Sequence, residues 1–134
     1  MQLDLYNYLT VYGSVIETTH KLKNTDKFVA WTEENFTYVK YNPRKPANRY
    51  GLSLTSLDGG TTGLPDLDSL YEYNQENEIK YTERDFKTKT LVYKYPEITQ
   101  LLKPIQDDLF RSHIIKLEAG GFFPPHRDFR GMSI

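Results

Sequence analysis

The spacing of apolar and polar positions changes period several times along the chain, and each change predicts an element. The sharpest run is Phe110 to Leu117. Arg111, His113, Ile115 and Leu117 fall on one side, and Ser112, Ile114 and Lys116 on the other, which is the two-residue period of a strand. From Tyr50 to Leu57, Leu52 and Leu54 alternate with Ser and Thr, predicting a half-buried strand that Asp58-Gly59-Gly60 closes with strong turn chemistry. Phe36 to Tyr41 predicts another strand, ended by Asn42-Pro43, and prolines 43 and 46 make 42–49 an extended loop. Helical spacing occurs from Thr18 to Asn35, where Leu22, Phe28 and Trp31 give a polar helix a small apolar face. It recurs from Pro96 through Ile98, Leu101, Leu102 and Ile105, where Pro104 should kink or end the helix. Ser69 and Glu72 have the spacing of a capping box opening a short helix. Residues 3–16 are rich in Leu, Tyr, Val and Ile without a dominant period, so helix and strand both stay open there, and 71–90 are polar and irregular.

A length of 134 residues points to one domain, with no linker or repeat to divide it. The 11 Tyr and 7 Phe favour sheet-rich packing and a pocket or interface with amphipathic walls. With 17 basic and 18 acidic residues the chain lacks the strong positive field of a dedicated nucleic-acid binder, so no nucleic-acid partner is expected. No apolar run reaches the length of a membrane span and no charged-then-apolar leader opens the sequence, so the expectation is a cytoplasmic protein with no membrane partner. The absence of cysteine leaves His and carboxylate as the side chains able to hold a metal.

Those side chains meet in Gly120-Gly121-Phe122-Phe123-Pro124-Pro125-His126-Arg127-Asp128. In an extended segment, residues two apart point to the same side, so His126 and Asp128 would converge and Arg127 would turn away. An imidazole and a carboxylate suit a divalent first-row metal, and they make up two of the three groups of the facial triad that binds Fe(II). Two prolines stiffen the approach. The three letters alone read more readily as a surface His beside an Asp in a turn, and it is the strand, turn and prolines ahead of them that favour a metal site. They also spell the kinase catalytic-loop tripeptide, but Ser133 stands where that loop needs Asn, and no Gly-rich phosphate loop precedes it, so a kinase is excluded. Asp66 and Asp68 lack the Gly and Glu of a calcium loop and read as an acidic pair at a helix N-terminus. Arg44, Lys45 and Arg49 read either as a solvated face or as a lip receiving an anionic substrate or cosubstrate. Arg111, on the His113 face, is the candidate pocket cation, with Arg130 as a second. His113 itself reads either as a pocket residue or as a strand His bonded to backbone or water, and His20 as a solvated helix residue.

The run Arg111-Ser112-His113-Ile114-Ile115-Lys116-Leu117-Glu118-Ala119-Gly120-Gly121-Phe122-Phe123-Pro124-Pro125-His126-Arg127-Asp128 resembles the first metal-binding segment of the Fe(II)/2-oxoglutarate-dependent oxygenases. It is most similar to the aspartyl/asparaginyl β-hydroxylase-like and free-proline-hydroxylase-like branch, in which a Pro-Pro-His-x-Asp run recurs. Arg49 to Gly59 and Pro65 to Leu70 also resemble uncharacterised members from marine bacteria and phage. The resemblance implies an α+β chain with a mainly β core, a partial double-stranded β-helix (a cupin-like jelly roll) with N-terminal helices. Residues 1–108 would supply helices and outer strands, and 109–134 the first core strands. His126 and Asp128 would be metal ligands and catalytic residues. The cofactor would be Fe(II), the cosubstrate 2-oxoglutarate, and the reaction hydroxylation of an amino-acid or peptide side chain. Arg111, His113 and Arg130 would lie near the cosubstrate. The family pattern also has a distal His and a cosubstrate-binding basic residue on later strands, and Phe129 to Ile134 contain no His. The expectation is therefore an incomplete fragment, inactive alone. The alternative is a non-catalytic, cupin-like, β-rich binding module.

Overall fold

Alternation brings two distant stretches into one ladder in the computed structural model, which describes residues 21–124. In chain order these comprise α1 (Thr25–Asn35), β1 (Val39–Lys40), β2 (Arg49–Ser53), β3 (Thr55–Ser56), α2 (Leu70–Asn77), β4 (Thr88–Lys89), α3 (Pro96–Leu102) and β5 (His113–Leu117). Short 3-10 turns occupy Glu83–Asp85 and Lys103–Asp108. The fold is α+β. One antiparallel sheet has the order β1-β2-β5, a second pairs β3 with β4, and neither closes on itself among the described residues. In the larger sheet Ser53 stands opposite His113, Leu52 opposite Ile114 and Arg49 opposite Leu117. Val39 stands opposite Gly51.

The period of two sorts this sheet into two faces. Leu52 and Ile114 point to the side where Phe28 of α1, Leu54, Val92, Tyr93 and Ile98 of α3 form the core. Phe28, Trp31 and Tyr95 interlock there edge to face or tilted, with centroids 5.0 Å apart for Phe28–Tyr95 and 4.7 Å for Trp31–Tyr95. The fully buried Leu52 would cost about 2–5 kcal/mol to truncate to Ala. On the opposite face lie Val39, Arg49, Gly51, Ser53, His113 and Ile115, covered in part by the segment 63–68. Two glycines permit that cover. A Cβ on Gly51 would stand 3.2 Å from both Leu67 methyls, and one on Gly63 2.5 Å from the Val39 Cγ2.

Several elements differ from the sequence expectation for local reasons. The strand predicted from Phe110 starts at His113, because Arg111 has φ 44° and the Ser112 N–H goes to Thr55 Oγ1. The strand predicted over 50–57 divides: Leu54 and Thr55 both donate to the Ser112 carbonyl, which turns Thr55-Ser56 towards β4. The helix expected after Ser69 forms, but without a capping box; Ser69 instead gives its N–H to Asp68 Oδ1 at 2.7 Å. A capping box does form at Thr82, with Asp85 as its return partner. Pro96 opens α3 as its first helical residue, and Pro104 sits where the α-helix tightens into a 3-10 turn. The helix expected from Thr18 begins at Thr25, after Asn24 with φ 53°, and residues 21–24 are not helical; residues 18–20 lie outside the described ones, as do 3–16.

Candidate functional site

Polar groups concentrate on the sheet face away from the helical core. β2 presents Arg49, Gly51 and Ser53 there, and Tyr41 lies beside Arg49, its N–H donating to the Arg49 carbonyl at 2.8 Å. The Arg49 side chain is 4% exposed. Its guanidinium carbon lies 4.5 Å from the Phe123 ring centroid and 5.2 Å from that of Tyr41, cation–π distances on two sides. Tyr41 also meets His113, with ring centroids 5.1 Å apart, and Phe123 at 5.8 Å. Arg49, Tyr41, His113 and Phe123 thus form one aromatic and cationic cluster.

Next to it, Ser53 donates its hydroxyl to Asp66 Oδ2 at 3.1 Å. Asp66 is buried, and burial pushes its carboxyl above the ordinary range, with the Ser53 hydroxyl and the Leu57 amide opposing. Burial also pushes the His113 imidazole below its usual value, reinforced by the Arg111 cation, so a neutral ring is favoured. Buried polar atoms without a hydrogen-bond partner gather in this region: Asn42 Oδ1, Arg49 Nε, Asp66 Oδ1 and His113 Nδ1. Asn42 belongs to it because its N–H bonds the carbonyl of Leu67, which caps Gly51. Native interiors pair nearly all such atoms, so several orphans on one face mark a place arranged for something other than packing.

The approach to the His-x-Asp motif is built onto the same face. After β5, Gly121 donates to the Glu118 carbonyl at 2.7 Å, and Gly120 takes φ 76° in the turn. A Cβ on Gly121 would lie 2.5 Å from the Asn48 carbonyl oxygen and 2.8 Å from that of Glu118, so glycine alone fits. Glu118 donates to the Asn48 carbonyl and Phe122 to that of Ala47. These bonds fix the exit from β5 beside the entry to β2 and bring Phe123 over Arg49.

The residues proposed from sequence fall into separate groups. His126, Asp128 and Arg130 lie outside the described residues. His113 belongs to the cluster. The Arg111 guanidinium is engaged within the chain: it donates to the Asp66 and Asp68 carbonyls and pairs with Glu83 at 2.8 Å. It therefore ties 66–68 to the end of β5. The basic trio divides as well. Arg44 forks onto Asp68 and Glu76, at 2.8 and 2.6 Å, Lys45 is exposed, and Arg49 is buried. Arg49 read from sequence as a loop residue, yet it shares the parity of Gly51 and Ser53, and a cation in phase with two small residues on a strand was the available signal. Among the described residues no three His, Cys, Asp or Glu side chains gather into a metal-binding group. Likewise, none of the described helices is long and apolar enough to cross a membrane. No family model, no curated protein and no solved structure matches the chain.

Proposed function

We propose that this chain carries the N-terminal region and first core strands of an Fe(II)- and 2-oxoglutarate-dependent dioxygenase, a jelly-roll enzyme that hydroxylates an amino-acid or peptide side chain. The observation that carries the reading is the continuity between the described site and the motif. β5, the Gly120-Gly121 turn and Phe123 are docked against β2, and the Pro-Pro-His-Arg-Asp run begins at Pro124. The donor types fit the metal, since one neutral imidazole and one carboxylate are what Fe(II) takes from a facial triad. His126 and Asp128 would hold it, with the third protein ligand supplied from outside the described cluster. Bound iron and 2-oxoglutarate would supply oxygen activation, with release of succinate and CO2 and hydroxylation of an unactivated carbon. The chain's own residues have the other tasks. On this reading the clustered Tyr41, Phe123 and His113 would help exclude water from the site, and Arg49, packed on Phe123, would supply a fixed positive charge.

The test is metal-dependent stability under anaerobic conditions. Fe(II), or Mn(II) as its redox-inert substitute, should raise the melting temperature of the 134-residue chain, and His126→Ala and Asp128→Ala should each remove the increase. Indifference of the wild-type chain to both metals would favour the non-catalytic binding module instead.

A further inference from the structure

The Arg49 side chain has a feature that packing does not account for. It is 4% exposed, yet among the described residues no carboxylate pairs with it, and its Nε–H finds no acceptor. A guanidinium keeps its charge under all ordinary conditions, so it cannot escape the cost of burial by losing a proton. Buried charges in stable folds are paired for that reason. In the covering segment Asp66 bonds Ser53 through Oδ2 and Asp68 pairs with Arg44, and neither is bonded to Arg49. Arg44 and Arg111 show the contrast, since each meets carboxylates of the chain, at 2.6 to 2.8 Å. The Phe123 and Tyr41 rings, at 4.5 and 5.2 Å, attract the cation but cannot accept its N–H donors in the plane of the fork.

We propose that Arg49 is the carboxylate-binding residue of a small-molecule site on this face, with Tyr41 and Phe123 as its walls. A carboxylate matches the guanidinium fork with parallel hydrogen bonds and supplies the missing countercharge. The residue is prepared for that role. β2 pairs on both sides, and the Arg49 carbonyl is held by Tyr41 at 2.8 Å, so little order remains to be gained on binding. His113, 5.1 Å from Tyr41 between ring centroids, adds an unpartnered Nδ1 that would meet a second polar group of the ligand. Taken with the hydroxylase reading, on which this identification of the ligand rests, the carboxylate belongs to a free amino-acid substrate. A peptide bond at that position would remove the charge that Arg49 recognises.

The experiment uses the full 134-residue chain in carboxylate-free buffer stripped of metal ions on a chelating resin, so that no metal contributes and the hydroxylase reading can fail separately. Melting temperature is followed against free amino acids, their C-terminal amides, 2-oxoglutarate and succinate, with chloride at matched ionic strength as the control. Carboxylates at saturation should raise the midpoint by roughly 3 °C or more, and the amides should not. Arg49→Gln should weaken carboxylate binding by more than about tenfold, and Arg49→Lys, which keeps the charge without the fork, should weaken it less. A response to amino acids and not to 2-oxoglutarate assigns the site to substrate. The reverse assigns it to the cosubstrate and leaves carboxylate binding standing. A wild-type chain that responds to none of these carboxylates beyond chloride overturns the proposal, whatever the variants do. So does an Arg49→Gln chain that binds them as tightly as wild type.

Discussion

Two titratable side chains on the polar sheet face bias stability in opposite directions with pH. His113 is pushed below its usual value by burial and then by the Arg111 cation, so the native state binds fewer protons than the unfolded chain just below pH ~6.5. Its contribution is complete above that pH and is lost as pH falls through the native value. Asp66 is pushed up by burial, so the native state there binds more protons than the unfolded chain. Its contribution is complete below about pH 4 and is lost as pH rises through its native value. Urea unfolding of wild type, His113→Gln and Asp66→Asn between pH 4 and 8 separates the two. His113→Gln should lose less stability than wild type on acidification below pH ~6.5, and Asp66→Asn should gain relative to wild type as pH rises above ~4. Asparagine can still accept from the Ser53 hydroxyl, so the slope reports the charge and not the lost bond. Parallel pH profiles for all three chains would mean that neither group is perturbed in solution.

At the scale of elements, the turn after β5 does the most positioning, and its two glycines are required for different reasons. Gly120 has open space around its missing Cβ, with the closest atom 4.0 Å away, but has φ 76°. Alanine there should cost about 1–2 kcal/mol through backbone strain alone. Gly121 faces backbone oxygens at 2.5 and 2.8 Å that cannot move without disturbing the Asn48–Glu118 ladder. Gly121→Ala should cost about 1–3 kcal/mol and should also loosen Phe123 from Arg49, which Gly120→Asn should not. Chemical denaturation gives the first quantity and the Phe123 ring proton shifts the second. Much of this element was legible: alternation marked β5, and Gly-Gly marked the turn. The start of α3 was legible too, because proline suits the first helical position. What stayed hidden depends on long-range partners. Arg111 fits the alternating pattern but adopts φ 44° to reach Asp66, Asp68 and Glu83, and local sequence does not encode that reach. Arg49 looked like one of three loop cations because the Phe123 ring that packs on its guanidinium lies more than seventy residues later.

For the whole molecule, the described residues leave β5 at the edge of the larger sheet, and the hydrogen-bond phase says which of its amides face outward. Ser112 accepts from Leu54, and Glu118 donates to the Asn48 carbonyl, so both backbone groups point towards β2. With a period of two, Ile114 and Lys116 also bond inward, opposite Leu52 and Tyr50, while His113, Ile115 and Leu117 direct their N–H groups to the outer edge. This phase matters for the jelly-roll reading, because a closed jelly roll pairs core strands on both sides and an exposed edge invites pairing with another chain. Amide hydrogen exchange on the 134-residue chain resolves the arrangement. An edge open to water should give alternation, with Ile114 and Lys116 slow and Ile115 and Leu117 fast, at every protein concentration. Slow exchange at all four that weakens on dilution identifies a second copy as the outer strand, whereas slow exchange independent of concentration identifies a strand from the same chain. If Ile114 and Lys116 exchanged faster than Ile115 and Leu117, the β2–β5 register would be wrong by one residue. His113 would then face the helical core, and the cluster around Arg49 would not exist.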